Sequence, residues 1–409
     1  MASLKKLKEN LKSLGPGFII ASVVLGPGSI TVASRIGSEY GYSFLWVVVL
    51  AAFCMIIYTS MGARFGVSNN QSILQVIASK YGRWFSVIIG ISSFLSALSF
   101  QFGNNLGIGI AMKEITGIDE HVWPIVFTVL AMILLFWAKN LYKVLEKLMM
   151  VLVMVMVLAF LINLILAKPN IGQLSLGFVP LSLKVEHLEI IAALVATTFA
   201  LNGAIYQSYL VQEKGWKVSR LKKGMKDTYI GIFLLAFISA MVIITSAAAL
   251  YPSGITVNSA SDMAMQLESL FGNYAKIVFS FGLCAAAFSS LMVNAVMGGG
   301  LFADGLGMGR SMNEKMPKIF TSVILLVGML VAVFFRGNII YALILAQASS
   351  ILAVPLIAIG LFLIVNNKKV MGKLKNTFWQ NLFAILGFIL ICILVYYMYT
   401  RFISFIGST

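Results

Sequence analysis

Apolar residues along this chain come in long unbroken blocks, not in the narrow stripes of a soluble amphipathic fold. Leu45 to Tyr58 and Val151 to Leu166 hold no charged residue, and crossing a bilayer takes about 20 mostly apolar residues. The blocks predict membrane spans near residues 16–36, 42–65, 84–112, 122–140, 144–167, 188–212, 228–250, 274–302, 318–336, 338–366 and 377–401. Connections are short, and the longest polar one, from about Tyr251 to Asn273, hides no soluble domain. The pattern predicts a single all-α membrane domain, 1–409. The first apolar block, from Phe18, is interrupted at Gly26-Pro27-Gly28 and then continues with no small-residue cleavage site behind it. A removable leader is therefore not expected.

Composition sharpens this reading. The chain is 60% hydrophobic and 11% charged, against roughly 25% charged in soluble domains. Its net charge of +16 raises the question of nucleic acid, but the distribution answers it. On the side of the N-terminus lie 23 of the 30 basic residues, the densest group being Lys214, Lys217, Arg220, Lys222, Lys223 and Lys226. The opposite side holds seven: Arg35, Lys113, Lys168, Lys184, Lys276, Arg336 and Arg401. The positive-inside rule then predicts a cytoplasmic N-terminus and, with eleven spans, a C-terminus outside a cell (inner) membrane. The basic excess reports topology and contact with the lipid bilayer, at about 1 kcal/mol per basic residue near anionic headgroups. A nucleic-acid partner is not expected.

Two spans are broken in mid-membrane, five spans apart. Span 1 is interrupted at Gly26-Pro27-Gly28-Ser29, and span 6 near Ala200-Leu201-Asn202-Gly203. A repeat of five spans inserts in opposite orientations, so the two halves, 12–167 and 188–366, are inverted, with 377–401 as an extra C-terminal span. Paired interrupted helices in matching positions point to a transporter's binding site. The reason is that non-helical backbone is tolerated at membrane depth only where it is buried in protein or lines a cavity. Gly-Pro-Gly removes a donor and loosens the chain around the proline. Asn-Gly in span 6 is the weaker signal.

These stretches resemble the NRAMP divalent-metal transporters. Gly15-Pro16-Gly17-Phe18, then Gly26-Pro27-Gly28-Ser29, then Gly41-Tyr42 and Leu45-Trp46 look like that family's opening, which reads Gly-Pro-Gly-Phe, Asp-Pro-Gly-Asn, Gly-Tyr and Leu-Trp. Tyr206 to Gln212, Ser289-Ser290, and Ala346-Gln347 through Val354-Pro355-Leu356 are similar as well. The resemblance covers roughly residues 12–366. It implies a leucine-transporter-type inverted five-plus-five fold working by alternating access. It also exposes departures. The family's span 1 aspartate falls on Gly26 and its asparagine on Ser29. Its span 6 methionine falls on Ala200, and its two histidines fall on Asn202 and Gln207. Its acidic pair in span 3 falls on Gln101 and Asn104.

The inferred centre therefore offers only carbonyls, hydroxyls and amides: Gly26, Pro27, Gly28, Ser29, Gln101, Asn104, Thr197, Ala200, Asn202, Gln207 and Gln347. Tight transition-metal binding prefers imidazole, thiolate or thioether, and intramembrane acids mark proton relays. All fourteen acids are expected in loops or at helix ends, with Asp304 the most embedded and read as a solvated cap near Arg310. His121 and His187 fall at outer helix starts, and Arg35 with Glu39 reads as a gate or surface pair. Asn294 is expected to join helices. Cys54, Cys284 and Cys392 have no metal-ligand spacing. No metal site and no cofactor are expected. An enzyme is not expected either, since no Gly-rich phosphate loop, His/Cys cluster or nucleophile–base pair is found. Three readings stay open: a carrier of another small solute, a carrier of a hydrated divalent cation such as Mg²⁺, and a non-transporting sensor or scaffold.

Overall fold

The computed structural model describes residues 15–180, 184–257, 275–334 and 354–406. Among them every regular element is helical. The first half carries α1 (Pro16–Val24), α2 (Pro27–Tyr40), α3 (Leu45–Ser68), α4 (Ile73–Tyr81), α5 (Arg83–Thr116), α6 (Val122–Trp137), α7 (Leu141–Ala167) and α8 (Ile171–Leu176). The second half carries α9 (Leu188–Thr198), α10 (Leu201–Glu213), α11 (Leu221–Ala249), α12 (Ala275–Leu306), α13 (Lys315–Phe334), α14 (Val354–Asn366), α15 (Lys368–Met371) and α16 (Phe378–Ile406). Eight helical segments are long and apolar enough to cross a membrane, one of them running through both α9 and α10. The bent pair α1 and α2, the 16-residue α6 and α14 fall at the remaining expected spans.

The broken spans are the inner framework. α11 packs against α1, α2 and α3, while α12 packs along α5 and reaches α1. Close crossings depend on small residues. Gly62 and Gly66 on α3, spaced by four, let α10 approach until a Cβ on Gly62 would stand 2.0 Å from the carbonyl oxygen of Ala204. In a bilayer such close packing replaces the hydrophobic drive between helices. α16 lies at the rim, with Leu386, Ile393 and Tyr396 facing outward.

Three departures from the expected boundaries have identifiable causes. α4 occupies a stretch read as loop. Ser72 accepts the N–H of Gln75 at 3.0 Å while Gln75 accepts the N–H of Ser72, a reciprocal cap visible in sequence as Ser-x-x-Gln. Its residues Ile73, Leu74, Val76 and Ile77 are buried. α11 begins at Leu221, seven residues before the expected start, so Lys222, Lys223 and Lys226 ride on its first turns and Asp227 falls inside it. Arg64, counted among the cytoplasmic cations, is buried and donates to the carbonyl of Leu374 and to Asn376 Oδ1 at 2.6 Å. It fixes the connection into α16.

Candidate transport site

The first break is encoded locally. Gly26 is extended (φ −123°, ψ 175°) and Pro27 opens α2, which leaves α1 at 60°. Proline suits the first helical position because its missing N–H is unneeded there. The break is braced on both sides. Ser29 Oγ accepts the N–H of Gly26 at 3.0 Å and donates to its carbonyl at 2.7 Å. The carbonyl of Val23 accepts from Asn294 Nδ2 at 2.8 Å and from Ser290 Oγ at 3.2 Å. Asn294 thus joins α12 to α1, as expected of it. The Pro27 ring seats on Gly107 of α5, where a Cβ would stand 2.1 Å from it.

The second break has no proline and no glycine at its bend. Phe199 (φ −103°, ψ 64°) and Ala200 (φ −83°, ψ 91°) leave the helix between Thr198 and Leu201. Phe199 is held by burial against Tyr58, with ring centroids 5.4 Å apart. Thr197 donates to the carbonyl of Leu194 at 2.8 Å.

Between the breaks lies a shell of neutral polar groups. A Cβ on Gly26 would stand 2.8 Å from Asn104 Oδ1 and 2.9 Å from Ser290 Oγ, so these groups line the position where the family resemblance implies a carboxylate. Asn104 and Asn202 are almost fully buried, yet among the described residues Asn104 Nδ2 and Asn202 Oδ1 have no hydrogen-bond partner, and neither has the Tyr206 hydroxyl. Buried polar groups are seldom left unpaired without reason. The remaining expected residues divide. Gln207 donates to Thr228 Oγ1 at 2.8 Å and ties α10 to α11, with Oε1 unpaired among the described residues. Gln101 turns to α13, packing against Gly328, with both amide atoms unpaired among the described residues. Ser29 and Thr197 use their hydroxyl protons on local carbonyls. Gln347 lies outside the described residues. No group of three His, Cys, Asp or Glu side chains suited to a metal exists among the described residues.

Two acids depart from the expectation: Asp227 lies within α11, and Asp304, in the last turn of α12, is buried. Asp227 is 1% exposed and accepts the N–H groups of Gly15 at 2.9 Å and Gly17 at 2.7 Å. It caps α1 from across the inverted repeat, and Glu146 pairs with Lys214 beside it. A carboxylate at a helix N-terminus also meets the favourable end of the helix dipole. Asp304 is not a solvated cap. It is fully buried, and Tyr209 donates to its Oδ2 at 2.5 Å. The signal missed in sequence was register: the early start of α11 and the run of α12 to Leu306 carry both acids inside the bundle.

Neither histidine reaches the centre. His121 caps the loop before α6, where its backbone N–H and ring hold the exposed Asp119 below the usual carboxylate range. His187 packs between Tyr40 and Phe44, where α2 ends and α9 begins. Arg35 and Glu39 form an i, i+4 pair at 2.7 Å on α2. A cleft of about 510 Å³, lined by Asn69, Tyr209, Gln212, Trp216, Lys217 and Arg310, opens on the basic side of the bundle. A smaller one of about 300 Å³, lined by Tyr40, Tyr42, Gln173 and Tyr251, lies on the opposite side.

This architecture has clear relatives. The chain is 25% identical over 376 residues to the divalent metal cation transporter MntH of Klebsiella pneumoniae, covering 91% of this chain and 90% of that protein. The fold matches the crystal structure of the Eremococcus coleocola manganese transporter with a TM-score of 0.82 at 19% identity, over 95% of this chain and 86% of that one. It also matches MhsT in complex with L-phenylalanine, with a TM-score of 0.63 at 15% identity, over 94% and 97% of the two chains. The family model for natural resistance-associated macrophage protein-like (Nramp) proteins matches residues 17–401, and the chain therefore belongs to the Nramp family of multi-pass membrane transporters.

Proposed function

We propose that this Nramp-family chain works by alternating access on a small polar solute held by neutral groups, and that it does not bind dehydrated Mn²⁺ or Fe²⁺ tightly. The observation that carries this is the surrounding of Gly26. An amide and a hydroxyl, not a carboxylate, approach the freed backbone of the first break. A dication taken from water into that setting without an anionic ligand faces a desolvation penalty of several kcal/mol. Among the described residues Asn104, Asn202 and Tyr206 retain unpaired hydrogen-bonding atoms that suit a neutral or zwitterionic cargo. Gly26, Pro27, Gly28, Ser29, Thr197 and Ala200 supply the backbone frame in this reading. The two five-helix halves rock about that frame, with the N-terminus cytoplasmic and the C-terminus outside.

A second reading rests on the relatives. The matched Klebsiella protein is a divalent metal cation transporter, and Mg²⁺ keeps several waters while using few direct ligands. A hydrated Mg²⁺ therefore asks least of neutral oxygens. Uptake into proteoliposomes separates the readings. Saturable Mg²⁺ entry supports the second and removes the first. No Mn²⁺ or Mg²⁺ entry, with saturable entry of an amino acid or another small polar solute, supports the first.

The substitution pattern is itself testable. The triple variant Gly26→Asp, Ser29→Asn, Ala200→Met should raise Mn²⁺ affinity in calorimetry, provided the Asn104 amide turns away from the new Cβ. Unchanged Mn²⁺ binding in a folded triple variant would count against the assignment of these three positions.

A further inference from the structure

The buried pocket around Asp304 is not used by the central site. Asp304 Oδ2 accepts a hydrogen bond from the Tyr209 hydroxyl at 2.5 Å. Its Oδ1 has no hydrogen-bond partner among the described residues, and the residue is fully buried. The Ser72 hydroxyl, which caps α4, stands against both Asp304 and Tyr209. The Tyr209 hydroxyl and the Asp304 carboxylate thus meet beneath the surface with Ser72 nearby, and one carboxylate oxygen is bare among the described residues.

The charges that face the pocket come from each element packed around it. α5 presents Arg83, whose guanidinium lies against Gly307, and the loop after α12 presents Arg310, which donates to the carbonyl of Asn70 at 2.6 Å. α10 presents Tyr209 and, one turn further, Glu213, which accepts from Ser311 Oγ at 2.9 Å. α4 presents Ser72. No ion pair to Asp304 forms among the described residues. The two guanidiniums stand near the carboxylate without pairing with it among the described residues. A desolvated carboxylate oxygen without a partner is costly, and acids at membrane depth are retained chiefly where ions pass or bind. The position is also suitable: Tyr209 lines the cleft of about 510 Å³ on one side and stacks on Tyr206 of the central shell on the other, with ring centroids 5.8 Å apart.

We propose that Asp304, Tyr209 and Ser72 form a binding site for a monovalent cation, a proton or Na⁺, that meets Oδ1 of Asp304 beneath the basic-side cleft. Its role as the coupling ion rests on the transport reading above. Its existence as a site does not, so it is tested without any cargo. Thermal unfolding of the full chain in nanodiscs is followed against Na⁺, with choline replacing it at constant ionic strength, and separately against pH. A saturable rise in midpoint with Na⁺ assigns Na⁺. A rise only as pH falls assigns the proton. Either rise is expected to vanish in D304N and to shift its half-point in Y209F and S72A, while S311A, in the cleft wall, leaves it in place. Should D304N not fold, Y209F and S72A carry the comparison. Equal responses in the wild type and in every pocket variant, or no response to either cation, would overturn the proposal.

Discussion

The two broken spans reach similar shapes by different means. At the first, the sequence itself forbids a helix: Gly26 is extended, Pro27 lacks a donor, and Ser29 closes the turn within three residues. At the second, Phe199 and Ala200 are residues that any helix accepts, and where they leave it Phe199 is buried against Tyr58 of α3. One break is local and the other is tertiary. A local break persists when its neighbours move, whereas a tertiary one is bound to the packing around it. The halves of an inverted repeat therefore need not be mechanically equivalent.

Substitutions sharpen this contrast. Phe199→Ala should be the most disruptive, costing about 3–5 kcal/mol as a buried aromatic is lost and allowing α9 and α10 to straighten. Thermal unfolding in detergent reads the first effect, and a loss smaller than that of a surface substitution would show that the second break does not depend on packing. Asp227→Ala should cost roughly 2–4 kcal/mol, since two buried amides lose a charged acceptor. Faster hydrogen exchange at Gly15 and Gly17 would locate the loss in α1, and unchanged exchange would refute the cap. Ser29→Ala should cost least, about 1 kcal/mol for one local bracing contact. A loss as large as that from Phe199→Ala would mean that the first break is no more local than the second.

The same contrast explains what could be read in the sequence. Spans, the break at Gly26 and the inverted plan were legible because apolar length and Gly-Pro-Gly are properties of neighbouring residues. The break at Ala200 was legible chiefly through its spacing from the first. The family was legible from Gly15-Pro16-Gly17-Phe18 onward, and the family model matching 17–401 bears that out. What escaped was set by contacts distant in sequence. Asp227 reads as a loop acid until α11 is seen to start at Leu221, and its partners Gly15 and Gly17 lie more than two hundred residues away. Asp304 reads as a cap until Tyr209 is seen to cover it. Gln207 belongs to the candidate centre by alignment, yet its amide is used on Thr228. α4 was the exception, since Ser72 and Gln75 announce it locally.

Tyr58 links regions that seem unrelated. Its ring holds Phe199 at the second break, and its hydroxyl donates to the carbonyl of Ala384 on α16 at 2.9 Å. α16 presents Leu386, Ile389 and Ile393 outward at the rim, where acyl chains press on the protein. Helices adjust their tilt when their apolar length differs from bilayer thickness. A packed route therefore runs from the lipid annulus through one tyrosine to the backbone at Ala200. The helix that stands outside the repeat is thereby tied to the second break through a single side chain.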